Sequence, residues 1–237
     1  MARNTDTTFA ENQFTPLIDK AVTIPSEKIH RHVDGLRRAN PGASPARIVE
    51  LLEKEFLRSS ARKGGAVGAT AAVPAVGTAT AVVLTGVQVA AFFADAARHV
   101  MAVADIHGVP IDDVERRRTL LLASLLGEEG AAAVQKQVGV GTLYWGRTLL
   151  TKLPIRTVSL INAQLRRRAA KVGAQVGARA FFGRLAPFGV GAVIGWQANK
   201  AMAKDVTKGV RSAFGPPPPR FSREVGQVPR MATVELP

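Results

Sequence analysis

Cysteine is absent from the 237 residues, and aromatic side chains make up only 5% of them. Without cysteine there are no disulfides, no thiolate nucleophile and no cysteine-liganded metal, a composition compatible with a reducing cytosol. The hydrophobic fraction is 46%, much of it Ala and Val, so a core must be built from close helix contacts rather than large rings. Catalytic signatures are missing as well. There is no G-x-x-x-x-G-K-[ST] phosphate loop, no H-E-x-x-H zinc motif and no G-x-S-x-G nucleophile elbow. The four histidines, His30, His32, His99 and His107, show no metal-ligand spacing. Gly189, Gly191 and Gly195 form a G-x-G-x-x-x-G string, but Pro187 stands before it where a nucleotide-binding turn needs a strand. No carboxylate follows about 20 residues on to hold a ribose. The opening MARNTDTTFAENQF has no apolar run, so no cleaved secretion signal is expected. No catalytic residue, metal or cofactor is predicted.

Acidic residues are scarce in the C-terminal part. Of 32 Lys and Arg and 18 Asp and Glu, residues 1–130 hold 15 of each. Residues 131–237 hold the other 17 bases and 3 acids (Asp205, Glu224 and Glu235), so the net charge of +14 resides there. A one-sided basic surface is the footprint of an anionic partner: phospholipid headgroups, nucleic acid or an acidic protein. A merely solvated basic face is the plain alternative.

Charge of either sign is missing between Gly64 and Ala94, a run of 31 residues. Gly64 and Gly68, four apart, share a helix face on which another backbone can approach closely. Pro74 breaks or kinks a helix and pushes Val73 out of the α region. The predicted form is a hairpin, with a helical arm to about Val73, a turn through Pro74–Thr78 that includes Gly77, and a longer helix to about His107. The second arm has 19 uncharged residues from Val76 to Ala94, against about 20 for a bilayer span; the first arm is too short to span. The hairpin reads as buried core, as a shallow or reversible membrane insertion, or as a transmembrane helix.

On either side the pattern is helical. Residues 1–24 show no sustained period. Ser26 can cap a helix bearing Ile29, Val33 and Leu36, which Asn40-Pro41-Gly42 ends. Ser44-Pro45 is an N-cap followed by proline at the first helical position, and Ile48, Leu51, Leu52 and Phe56 share one face. Asp112 or Asp113 can start the next helix, with Gly127 at its end. Breaks are expected near Gly139–Gly141 and at Pro154. Residues 155–184 read as one or two basic helices with Gly173 and Gly177 as a second small-residue pair. Phe188 to Asn199 is again uncharged, with Gly191 and Gly195 as a third. Gly215 and Pro216–Pro219 end regular structure.

Asp95 and His99 lie four apart on the long helix, and Asp105 and His107 follow, making a candidate polar cluster. A metal reading lacks a third ligand at a recognisable spacing. An intrahelical pair or an end-of-helix cluster is the expectation. Candidate contacts to an anionic surface are Arg166, Arg167, Arg168, Lys171, Lys200, Lys204, Lys208 and Arg211. No nucleic-acid recognition module is legible and stacking aromatics are few. Basic helices interleaved with apolar Gly-rich segments fit anionic lipid better, each Lys or Arg near the surface contributing roughly 1 kcal/mol.

In its order of features the chain resembles the EcsC family of bacterial proteins. The resemblance rests on the Gly/Ala-rich arm leading into Pro74-Ala75-Val76-Gly77-Thr78, on the long apolar helix bearing Asp95, and on Pro187-Phe188-Gly189-Val190-Gly191 running on to Gly195-Trp196-Gln197-Ala198-Asn199. It covers roughly residues 60–214. Where that family tends to an aromatic-Gly-x-Asp stretch, this chain has Ile106-His107-Gly108, and Asp112 comes later. The resemblance implies an α-helical bacterial protein, cytoplasmic or membrane-associated, and carries over no catalytic residue.

The expected architecture is all-α: a single helical bundle over 26–214, built on the Gly/Ala-rich, Pro-turned hairpin, with a flexible segment 1–25 and a Pro-rich disordered tail 215–237. The expected role is non-enzymatic contact with anionic membrane lipid at the inner face of the cell membrane. A soluble scaffold with a protein partner and a nucleic-acid binder are the alternatives, and the oligomeric state is left open.

Overall fold

The computed structural model describes the backbone of residues 15–70, 78–138, 144–183 and 190–226, and the side chains of these outside 65–86, 138, 170–195 and 198. All regular structure among the described residues is helical: α1 (15–22), α2 (Ser26–Ala39), α3 (Pro45–Thr70), α4 (Thr78–Ile106), α5 (Val114–Leu125), α6 (Gly127–Val138), α7 (Trp145–Thr151), α8 (Ile155–Gly183) and α9 (Val190–Phe214). The all-α bundle is therefore what forms. The expected turn, with Pro74 and Gly77, lies outside the described residues.

Local chemistry sets several helix ends. The Arg47 N–H donates to Ser44 Oγ at 3.3 Å, and Pro45 opens α3 where no N–H is missed. The Asp113 carboxylate accepts the Arg116 N–H at 2.9 Å and caps α5. Ser26 does not cap α2: it is that helix's first residue, and its hydroxyl donates to Asp112 Oδ1 at 2.8 Å. α4 ends at Gly108, whose φ of +67° is cheap only for glycine. The Gly108 N–H donates to Asp105 O at 2.9 Å and the Val109 N–H to Ala104 O at 3.1 Å, closing the helix.

The core runs through the whole bundle. Ile29, Ile48, Met101, Ile106, Leu120, Leu121, Leu122, Trp145, Leu149, Ile161 and Leu165 are all fully buried. α5 lies at its centre, buried from Thr119 through Ser124 and packed against α4, α6, α7, α8 and α9. α9 comes close to α5 at Gly209: a Cβ there would stand 2.7 Å from Ser124 O and 2.9 Å from Ser124 Cα. α3 runs antiparallel to both α9 and α4. Asn199 Nδ2 donates to Ser60 O at 3.2 Å, while Arg211, three turns on, clamps Glu53.

The ordered fold extends past both expected boundaries, 26 and 214. α1 buries Ile18, Ala21 and Val22 in the core. Buried Arg117 ties the end of α1 to the segment before α5, donating to Val22 O (3.1 Å), to Ile24 O just past the helix (2.6 Å) and to Ile111 O. A cation there also complements the helix dipole. At the other end residues 215–226 return across α2 and the end of α4. Finally, the expected amphipathic helix and the first hairpin arm are one helix, α3. Across the polar run Arg58–Lys63 the helix is continuous, and Ser59 and Lys63 find a carboxylate on α4.

Candidate functional site

Asp95 marks the level at which charge stops. Its carboxylate, 7% exposed, accepts Ser59 Oγ at 2.7 Å and Lys63 Nζ at 2.6 Å from α3, and Arg98 Nη1 at 3.4 Å from its own helix. Beyond this level, α3 from Gly64 to Thr70, α4 from Ala94 back to Thr78 and α9 from Asn199 back to Val190 carry no charge. The antiparallel pairings send all three toward the same end of the bundle. At 1.5 Å per residue the uncharged stretches are about 10, 25 and 15 Å long.

That apolar end has a cationic rim. Arg62 and Lys204 are exposed and Lys200 is half-buried. None of the three has an acidic partner among the described residues. Lys200 Nζ stands 4.5 Å over the Trp196 ring, a cation–π contact. Trp196, Lys200, Lys204 and Lys208 follow one another at intervals of four along α9. Trp196 and Val87 are exposed apolar side chains here, at 40% and 63%. Among the described residues no helix is long and apolar enough to cross a membrane.

The other expected cations divide. Arg167 and Lys208 are exposed, Lys208 lying 3.9 Å from Asp205. Arg168 donates to Glu129 O at 3.3 Å, and Arg166 is half-buried. The Lys171 side chain lies outside the described set. Arg211 is committed elsewhere: its guanidinium grips Glu53 with two hydrogen bonds of 2.7 and 2.5 Å. Glu53 is buried and needs that partner, and the hydrogen bonds in turn raise the Arg211 pKa despite partial burial. The glycine pairs fall in helices as expected, Gly64 and Gly68 in α3, Gly173 and Gly177 in α8, Gly191 and Gly195 in α9. Gly64 is buried; the other five are among the residues whose side chains are not described.

Asp95, His99, Asp105 and His107 do not form one cluster. Asp95 and His99 line one pocket, Asp105 joins a separate network, and His107 lies just past the end of α4. His99 stacks on Phe56 with ring centroids 4.9 Å apart and planes 9° from parallel. Burial, with the nearby Arg211 charge, pulls its pKa down to about 3, so it is neutral at neutral pH. Neither ring nitrogen has a hydrogen-bond partner among the described residues. A pocket of about 30 Å³ adjoins it, lined by His32, Glu55, Phe56, Ser59, Asp95 and Arg98 among others, with room for one or two waters. His107 Nδ1 bonds Val103 O at 2.8 Å and the ring packs against Phe214 at 5.1 Å, a helix-end role.

Asp105 belongs to a network that local sequence conceals. His30 Nδ1 meets Asp105 Oδ1 at 2.9 Å, and Arg223, 118 residues later, reaches the same carboxylate at 3.1 and 2.8 Å. Arg223 Nη1 also donates to Asp34 Oδ1 at 2.7 Å. Burial alone would raise the Asp105 pKa; the hydrogen bonds from His30 and Arg223, with the Arg223 charge, outweigh it and hold the carboxyl below its ordinary range. Spacing along the chain does not point to His30, Asp34 and Arg223 as partners. The one local signal is that His30 and Asp34 are four apart and so share a face of α2. No group of three or more His, Asp or Glu among the described residues is placed to hold a metal ion. No family model, no curated protein and no solved structure matches the chain.

Proposed function

We propose that this protein is a non-enzymatic, EcsC-like, peripherally membrane-associated helical protein that docks its apolar end on anionic lipid at the inner face of the cell membrane. The observation that supports the reading is the convergence of three uncharged helix ends inside a rim of cations. The α4 stretch, about 25 Å, falls short of the roughly 30 Å hydrocarbon core, so the end dips in rather than crosses. Exposed Trp196 and Val87 are apolar side chains on this end available to lipid. Arg62, Lys200 and Lys204 supply about 3 kcal/mol of attraction to acidic headgroups, roughly a hundredfold in affinity.

Flotation of the purified protein with vesicles tests this. Vesicles containing phosphatidylglycerol should carry the protein up the gradient, and phosphatidylcholine vesicles should not. Lys200→Gln with Lys204→Gln should weaken binding roughly 20- to 30-fold, since two charges contribute about 2 kcal/mol. Val87→Asp should leave the melting curve in place and reduce retention in high salt, where the apolar contact remains. Binding indifferent to lipid charge and to all three substitutions would refute the reading. Tighter, steeply salt-dependent retention on duplex DNA would favour nucleic acid instead.

A further inference from the structure

Residues 220–226 lie across the groove between α2 and the C-terminal turn of α4 in the manner of a bound peptide. α9 ends where the Gly215 N–H donates to Arg211 O at 2.8 Å. Pro216–Pro219 then form an arm that offers no N–H donors. Past this arm the chain is anchored by alternate residues. Phe221 is half-buried, with the Arg37 guanidinium 3.9 Å from its ring centroid. Ser222 is exposed, and it passes so close to the α4 end that a Cβ on Gly108 would stand 2.7 Å from its side chain. The Arg223 side chain is 10% exposed, held between Asp34 and Asp105, which are 6% and 5% exposed. Glu224 and Val225 are exposed again. The strap bends at 222–223 and turns at 225–226, and its in-and-out side chains seat it in the groove as a folded-back peptide would sit. Two contacts read the backbone of the strap: Arg37 Nη1 donates to Arg223 O at 3.0 Å, and the Gly226 N–H donates to Asp34 Oδ2 at 2.9 Å.

The receptor half is built without the strap. Asp34 and Asp105 are set by α2 and α4, His30 orients Asp105, and Arg37 stands at the mouth. Two buried carboxylates facing one opening suit a guanidinium, whose planar fork satisfies both at once. We propose that this cleft is a recognition site for a peptide segment carrying Phe-x-Arg, occupied in cis by Phe221–Arg223 and open to the same motif in trans when the strap leaves. The inference is independent of the membrane reading.

The test uses the full chain with Arg223→Ala and a labelled synthetic peptide of residues 217–226, read by fluorescence anisotropy. The R223A chain should bind the peptide saturably. The same peptide with Ala in place of its Arg223 should not bind, nor should the native peptide bind a chain carrying D34N and D105N as well. Wild-type chain should bind roughly tenfold or more weakly, because only the fraction with its strap released is competent. If R223A does not fold alone, refolding it with the native peptide should restore the helical circular dichroism, and the Ala peptide should not. Arg223→Lys, which keeps the charge but loses the fork, gives a second receptor with the same expectation. A folded R223A or R223K chain that ignores the peptide, or binds the Ala version as well as the native one, overturns the proposal.

Discussion

His99→Leu should make this protein more stable, and the gain should grow as pH falls. The wild-type ring is 3% exposed and both nitrogens lack partners among the described residues. A buried polar group without a hydrogen bond costs about 1–3 kcal/mol. Leucine removes both groups at similar volume and forfeits the stack on Phe56, worth about 0.5–1.5 kcal/mol. Two such groups less the stack leave a net gain at pH 7.5 of about 0.5–5.5 kcal/mol, and each kcal/mol raises the melting temperature of a chain this size by about 2–4 °C. The pH term has a definite sign. In the unfolded chain His99 takes up a proton near its ordinary 6.5, whereas in the folded protein it does so only near 3. Between these values the unfolded state binds more protons, so wild-type stability drops by roughly 1.4 kcal/mol per pH unit, about 2 kcal/mol by pH 5. The variant lacks that loss. Calorimetric melts of both proteins from pH 8 to 4.5 are the assay. A variant less stable at pH 7.5 would mean that the ring nitrogens are satisfied, by water in the adjoining pocket. Parallel pH profiles would mean that His99 is not held neutral in the fold. Either result refutes the reasoning.

Two further substitutions probe the packing. Gly209→Ala drives a Cβ to within 2.7 Å of the Ser124 carbonyl oxygen, so α9 must move off α5; urea unfolding should show a loss of about 1–3 kcal/mol. Arg117→Met leaves the carbonyls of Val22, Ile24 and Ile111 without their donor. A loss of about 2–4 kcal/mol is expected, with α1 the first element to lose amide-exchange protection.

The parts of the fold legible in the sequence are those whose causes are local. Ser44-Pro45 and Asp113 begin helices because their own atoms meet N–H groups three residues on. Gly108 ends α4 because its own φ is positive. The hidden parts have their cause far along the chain. α1 is eight residues long, too short to declare a period, and depends on Arg117. The join of the amphipathic helix to the first hairpin arm is hidden because its partner, Asp95, lies on α4, 32 residues past Lys63. Arg223 sits in a stretch that reads as solvated tail, and nothing near it announces two buried carboxylates 118 and 189 residues earlier. The candidate polar cluster rests on spacing along α4, but its members are sorted by what α2, α3, α9 and the strap bring to each turn. Arg211 reads as a surface cation for the same reason, since Glu53 lies 158 residues away.

The pairing of α3 with α9 has a consequence for biosynthesis. The Ser60–Asn199 contact joins residues 139 apart, and at about 5–20 residues per second the ribosome takes roughly 7–28 s to supply the second after the first. For that interval the hydrophobic flanks of α3 and α4 emerge without the helix that covers them. A nascent chain cut short anywhere before α9 would therefore keep that apolar surface uncovered and would be prone to aggregation.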